Sequence, residues 1–118
     1  METNDLTVVI VTFKSEEVIF SCLDSIPSNI KVIVVENSNN KKFKEELEKK
    51  YRNVSCIIAG DNKGYAVGNN TGLRKVNTKY ALILNPDTEL RKDTIQLFFK
   101  TIELVPEFWL IGPGNNQV

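Results

Sequence analysis

Leu6 to Phe13, Leu-Thr-Val-Val-Ile-Val-Thr-Phe, is an unbroken apolar and β-branched run with no polar face. Successive side chains of a strand point to opposite sides of its sheet, so such a run is stable only where both faces are covered. Both faces are covered when helices flank a parallel sheet, and the rest of the chain supplies the pieces. Lys31 to Glu36, Val54 to Ala59, Tyr80 to Leu84 and Phe108 to Ile111 read as further strands. Between them, Val18, Ile19, Cys22, Leu23 and Ile26 recur at helical spacing after a Ser15 cap, with Glu16 and Glu17 at the positive helix end. Phe43, Leu47 and Tyr51 mark a second helix, whose solvated face carries the i,i+4 pairs Glu45 with Lys49 and Glu46 with Lys50. A third helix is expected from about Ala66 to Val76. A fourth, from about Lys92 to Val105, carries Ile95, Phe98, Ile102 and Val105 on one side. Strands and helices alternating at this spacing predict right-handed crossovers and an α/β fold, a three-layer α/β/α sandwich with a mainly parallel sheet.

A chain of 118 residues supports one domain, 1–118, and contains no linker, low-complexity stretch or repeat. Fifteen basic and fifteen acidic residues cancel, so no net field draws the protein to nucleic acid or anionic lipid, and an anionic ligand has to be caught locally. The acidic start Met1 to Asp5 and the short apolar run Val8 to Val11 do not make a signal peptide or a spanning helix, which predicts a soluble, unsecreted, cytoplasmic chain. Cys22 and Cys56 lack metal-ligand spacing and read as small, reduced core residues. With no histidine in the chain, the commonest general base and metal ligand are both missing, and catalysis would rest on carboxylates.

In an open parallel sheet, ligands collect beyond the carboxyl ends of the strands. Four candidate sites fall there: Thr12 with Phe13, Glu36 with Asn37, Asp61 to Asn70, and Asn85 to Asp87. In the last, an apolar strand runs into Asn85-Pro-Asp87. Pro86 stops the strand and biases Asn85 toward an extended conformation, so Asp87 leaves the sheet in a set direction, as a metal-bound phosphate would require. Asn-Pro is also an ordinary turn initiator, and Asp or Thr ahead of a helix an ordinary cap. In Asn62-Lys-Gly-Tyr-Ala-Val-Gly-Asn-Asn-Thr-Gly72, the fourfold spacing of Gly64, Gly68 and Gly72 puts them near one helical face. There a ligand, or simply another backbone, approaches closely, with Asn69 and Asn70 beside the gap. The segment matches neither the Walker loop nor the dinucleotide fingerprint.

The ordered set Val8 to Phe13, Val32 to Ser38, Asn62 to Gly72 and Leu82 to Thr88 resembles the nucleotide-binding half of a family 2 glycosyltransferase, with bacterial rhamnosyltransferase-like members the most similar. The resemblance spans about Thr7 to Pro113. It implies a Rossmann-like GT-A domain that binds a nucleotide-diphosphosugar donor. It puts the nucleotide on Thr12 and Phe13, and base or ribose on Glu36 with Asn37, where the family's usual residue is the shorter aspartate. The sugar falls on Asn62, Gly64, Gly68 and Asn70. Asn85 takes the first position of the family's aspartate-rich metal motif, leaving Asp87 as the ligand of Mn²⁺ or Mg²⁺. A glycan or lipid-linked acceptor, inversion of configuration and cell-surface polysaccharide biosynthesis at the inner face of the membrane are implied for the full-length enzyme.

The family's carboxylate base comes from the acceptor-binding half, so no catalytic residue is expected before Val118, and Glu89, Asp93 and Glu103 fit solvated or capping positions. The expectation is therefore a fragment that folds and binds nucleotide without transferring sugar, and that self-associates through apolar Phe108, Trp109, Leu110 and Ile111. A sugar nucleotidyltransferase would need a glycine-rich basic loop in place of Thr12-Phe-Lys-Ser15, and a receiver-like module paired acids after the first strand. A non-catalytic nucleotide-binding or interaction domain stays open.

Overall fold

A computed structural model describes residues 5–59 and 64–103. Strands β1 (Leu6–Thr12), β2 (Lys31–Glu36), β3 (Val54–Ile58) and β4 (Tyr80–Leu84) form one sheet in the order β3-β2-β1-β4, with every pairing parallel. β1 is central and all seven of its residues are buried, as the uninterrupted apolar run requires. The fifth strand expected at Phe108 to Ile111, and the apolar surface expected there, lie outside the described residues.

Helices α1 (Ile19–Asp24), α2 (Lys41–Lys50) and α4 (Thr94–Glu103) share one face of the sheet, while α3 (Tyr65–Leu73) takes the other. On the first face Leu6, Val8 and Ile10 of β1 meet Ile19, Cys22, Phe43, Leu47, Ile95 and Phe99 in one large core. Each fully buried leucine or isoleucine in it contributes about 2 kcal/mol of transfer free energy. The second face is thinner, with Val11, Ile33 and Val35 under Ile57, Ala59 and Val76. There α3 lies close to the sheet because it has no side chains at two contact points. A Cβ on Gly68 would stand 2.6 Å from Val11 Cγ1, and one on Gly72 2.5 Å from Val9 Cγ1.

The chain steps outward from β1 through β2 to β3, then returns over the opposite face to place β4 on the other side of β1. The winding reverses at the β1/β4 boundary, the position in such sheets where a crevice opens beyond the carboxyl ends.

Two local expectations change, and one on α4 reaches beyond the described residues. Ser15 does not cap α1 with its side chain: its hydroxyl turns back to the Phe13 carbonyl (3.4 Å), while its backbone carbonyl accepts from Val18 and Ile19. On α2 neither expected pair, Glu45 with Lys49 or Glu46 with Lys50, closes as an ion pair; the one among the described residues is Lys44 with Glu48 at 2.9 Å, and Lys50 lies over the Phe20 ring, 4.7 Å from its centroid. Glu48 also accepts from the Cys56 backbone N–H (2.8 Å), and that bond, with Lys44, holds its carboxyl below the ordinary value. On α4 the buried pair is Ile95 and Phe99. The side chains of Phe98 and Ile102, and all of Val105, lie outside the described residues.

Candidate functional site

The parallel register brings the predicted strand exits to one edge. Thr12 is the direct partner of Glu36, and the Asn37 N–H donates to the Thr12 carbonyl at 2.8 Å, so the first two exits are joined. β4 runs beside β1 with Leu84 opposite Ile10, which sets Asn85 to Asp87 next to the β1 exit. Gly68 of α3 approaches the Asn37 side chain, its ideal Cβ position lying 3.1 Å from Nδ2. Thr12, Phe13, Glu36, Asn37, Gly64, Gly68, Asn85 and Asp87 therefore belong to one end of the sheet, while Asn70 stands farther along α3, between Gly68 at the level of Val11 and Gly72 at the level of Val9. Asn62 lies outside the described residues.

Glu36 is fully buried, yet it is surrounded by donors. Its Oε1 accepts from the Thr12 hydroxyl at 2.9 Å. Its Oε2 accepts from the Ser38 backbone N–H at 2.9 Å, the Asn40 backbone N–H at 3.1 Å and the Ser38 hydroxyl. Four donors and no acceptor converge on a group that, ionised, only accepts. Burial of the two side chains expected at the nucleotide is complete in this arrangement. Both side chains have no exposed surface and are bonded to each other, so they form the floor beneath the crevice and tie the β1 exit to the β2 exit. The loop they brace needs one left-handed residue, Asn39 at φ 58°, and ends in Asn40, whose Oδ1 caps α2 at the Phe43 N–H (3.0 Å).

Above this floor the exposed groups are of a different kind. Phe13 is 46% exposed, and Lys14, held at φ 54°, puts its ammonium 5.4 Å from the Phe13 ring centre. Across the edge, Asn85 is half-buried and uses its carbonyl to accept from the Thr88 N–H (3.1 Å) and the Cys22 thiol (3.8 Å), while the Asp87 side chain is exposed. Asp87 is close enough to act on Cys22: burial first, then the Asp87 and Glu89 charges, push that thiol up to about 12. Gly64 opens α3 at φ 90°, a conformation that suits glycine, and leaves the first N–H groups of the helix without intrahelical acceptors. Asn69 Oδ1 is buried with no partner among the described residues.

Asp87 is the candidate cation ligand, and no cluster of three or more acidic, histidine or cysteine side chains occurs among the described residues. A single exposed carboxylate fits a hard cation that takes its remaining oxygens from a substrate's phosphates and from water. It would not fit a cation caged by protein alone. Ser38, Asn40 and Lys14 were not singled out from the sequence. The acid, serine and asparagine at positions 36, 38 and 40 are the signal for the first two: donors two and four residues after an acid can fold back onto it. Lys14 carries no comparable signal, because a left-handed lysine is visible only in the backbone.

Comparison with known proteins gives a concordant result. The glycosyl transferase family 2 description matches residues 7–107. The low-salt glycan biosynthesis hexosyltransferase Agl10 of Haloferax volcanii is 32% identical over 114 residues, covering 93% of this chain and 36% of the relative. The teichoic acid poly(glycerol phosphate) polymerase of Staphylococcus epidermidis is 30% identical over 105 residues, covering 82% of this chain and 15% of the relative. The chain thus spans about a third or less of the length of these relatives. Among solved structures, S. aureus TarS 1-349 superimposes with a TM-score of 0.70 over 84% of this chain and 32% of its own, at 22% identity, which speaks to the fold. TarS 1-349 has also been solved with UDP and with UDP-GlcNAc.

Proposed function

The chain belongs to glycosyl transferase family 2, and from that premise we propose that its carboxyl edge binds the nucleotide diphosphate of an activated sugar for transfer to an acceptor hydroxyl. The observation that carries this reading is the reversal of the winding at β1/β4, with exposed Phe13 past β1, exposed Asp87 past β4 and the start of α3, which has no side-chain cap, at the same edge of the sheet. The TarS complexes with UDP and UDP-GlcNAc, on a matching fold, support a nucleotide-sugar as the ligand class.

Each residue then has a physical task. The open face of Phe13 suits stacking by a planar base, with the Lys14 ammonium beside it. Thr12 and Glu36 hold the exits of β1 and β2 together, so the wall above them is set before the ligand arrives. Asn37 packs between that floor and Gly68. The N–H groups at the start of α3 suit phosphate oxygens, and Asn62 and Asn70 offer amides to the sugar. Asp87, with Asn85 beside it, would hold Mg²⁺ or Mn²⁺. Such a cation, when bound, neutralises the charge that grows on the departing diphosphate. Transfer with inversion requires the acceptor hydroxyl to approach from the side opposite the diphosphate. No described residue is assigned as its base, and the acceptor, a glycan or lipid-linked saccharide, would be met by other parts of the enzyme. Neither relative named above is a rhamnosyltransferase by name, and no sugar is assigned. No helix among the described residues is long and apolar enough to cross a membrane; work at the inner membrane face is part of the proposal.

Calorimetry with UDP, GDP and dTDP, with and without Mn²⁺, tests this reading on the native chain and on Asp87→Ala. Binding to the native chain that strengthens with Mn²⁺, and loses that gain in Asp87→Ala, is expected. Equal binding by the two proteins removes Asp87 from the site, and no binding of any nucleotide overturns the reading.

A further inference from the structure

The charge balance of zero conceals an asymmetry that the fold creates. At the amino edge of the sheet, opposite the crevice, a cavity of about 350 Å³ opens on the α3 face, with Lys31, Arg52 and Lys75 around it and no acidic residue in its lining. Lys31 opens β2, Arg52 precedes β3 and Lys75 follows α3, so three separate connections converge there. All three side chains are exposed, and none pairs with a carboxylate among the described residues. Lys44 and Lys50, by contrast, are engaged, the first by Glu48 and the second by two aromatic rings. Lys49, Arg74 and Lys79 extend the same basic edge. Its acids are fewer, and Asp24 there already accepts from the Tyr51 hydroxyl at 2.7 Å.

The cavity exists because α3 covers only part of its face. The helix lies against β1 and β2, and β3 at the sheet edge is left open, with Ser55 exposed and Ile57 half-buried. Ile33 and Ile57 give its lining an apolar part, and Ser55 and Asn77 add a hydroxyl and an amide to the same lining as the cations. Unpaired cations close together repel one another, and an anion that bridges them relieves the repulsion. An apolar floor with a few convergent polar groups is the usual character of a small-ligand site.

We infer that this cavity is a second anion site, one that takes a phosphate group through Lys31, Arg52 and Lys75, with Ser55 and Asn77 completing the hydrogen bonds. Arginine and two lysines match phosphate oxygens, the arginine in bidentate fashion. The site is separate from the donor crevice by the length of the sheet, about 20 Å for six strand residues. A soluble phosphate ester and a phospholipid headgroup present the same group, and both fit the open mouth of the cavity.

The test uses the native chain without divalent cations, so that the donor crevice is not loaded through Asp87. Inorganic pyrophosphate is titrated in one arm, and phosphatidylglycerol vesicles with phosphatidylcholine controls in the other, following backbone amide resonances. Shifts are expected at Lys31, Ser55 and Asn77, weakening as salt is raised. Response to pyrophosphate identifies a soluble ligand, and response to the anionic vesicles alone identifies a headgroup. The double variant Lys31→Gln with Lys75→Gln should lose at least about tenfold in affinity. The control Lys49→Gln with Lys79→Gln, at the same edge but outside the cavity, should lose less than about twofold. Shifts confined to Phe13, Lys14 and Gly64, equal losses in both double variants, or no response in either arm would each overturn the inference.

Discussion

Replacing Glu36 tests how far the polar floor that joins the β1 and β2 exits holds the fold together. In Glu36→Ala the two backbone N–H groups of Ser38 and Asn40 lose their acceptor, as do the Thr12 and Ser38 hydroxyls. Each buried donor left unsatisfied costs about 1–3 kcal/mol. The Thr12 hydroxyl keeps a second acceptor in the Val35 carbonyl at 3.4 Å, and Ser38 and Asn40 are half-buried, so water reaches part of the vacated space. The expected loss is therefore about 3 kcal/mol, a large share of a stability of ordinary size. Glu36→Gln ranks between Ala and the native chain. With its oxygen toward Ser38 and Asn40, its amide N–H₂ faces Thr12, whose hydroxyl can turn from donor to acceptor. Glu36→Asp withdraws the carboxylate by about 1.5 Å, so it cannot reach Thr12 and Asn40 together. Its loss should resemble that of Gln or exceed it. Urea unfolding followed by circular dichroism measures all three, and a Thr12→Val/Glu36→Ala cycle isolates the bond between the strands. Glu36→Ala within about 0.5 kcal/mol of the native chain would refute the reasoning. So would a Gln variant as unstable as Ala, since the donor shell predicts their order.

Gly72→Ala brings a methyl to 2.5 Å from a β-branched valine with little rotameric freedom, and should destabilise by about 1–3 kcal/mol in the same unfolding assay, with Val9→Ala restoring part of it. The two thiols predict an alkaline limb. Burial raises Cys22 and Cys56 from 9.0 to about 12, so the fold keeps both protons where the unfolded chain releases them. Their contribution is complete below pH 9 and is lost as pH rises toward 12, and Tyr51, raised by burial and its bond to Asp24, adds to the same limb. Stability measured from pH 8 to 11 should fall less steeply in a Cys22→Ala/Cys56→Ala chain. Native thiols should also react slowly with a disulfide reagent at pH 8 and rapidly in urea.

The architecture was legible because it is written in patterns that one strand or one helix can satisfy alone. A run with no polar face has a single solution in a small domain, and Leu6 to Phe13 placed β1 in the centre of a parallel sheet before any pairing was known. The convergence of Thr12, Glu36, Asn37, Asn85 and Asp87 followed from parallelism itself. Strand order did not follow, because nothing in the sequence says that β4 returns past β1 rather than extending beyond β3. Ser15 shows the limit at the smallest scale. Its type suits a cap, but the Phe13 loop, with Lys14 in a left-handed conformation, claims the hydroxyl first.

Charge shows the same limit at the largest scale. Fifteen cations and fifteen anions cancel in the sum, yet a fold acts on where they stand. In a parallel α/β unit every helix points its carboxyl end toward the amino edge of the sheet, and basic residues favour that end because it carries the negative pole of the helix. Lys49 and Lys50 in the last turn of α2 follow this preference. Lys31 at the start of β2, Arg52 just ahead of β3 and Lys75 just past α3 stand at the same edge, so cations gather there whatever the total. At the crevice edge α3 instead starts at Gly64 with no side-chain cap, and backbone N–H groups there suit an anion. On the two readings proposed above, the edges would take anions by different physics: the crevice through oriented backbone and a shared metal, the opposite edge through side-chain charge. The distinction predicts opposite responses to salt. Binding that depends on exposed lysines and arginine weakens within a Debye length of about 8 Å at physiological ionic strength, while hydrogen bonds from a helix start into a half-closed crevice persist. A salt series on nucleotide and on pyrophosphate would separate the two edges even before a single residue is changed.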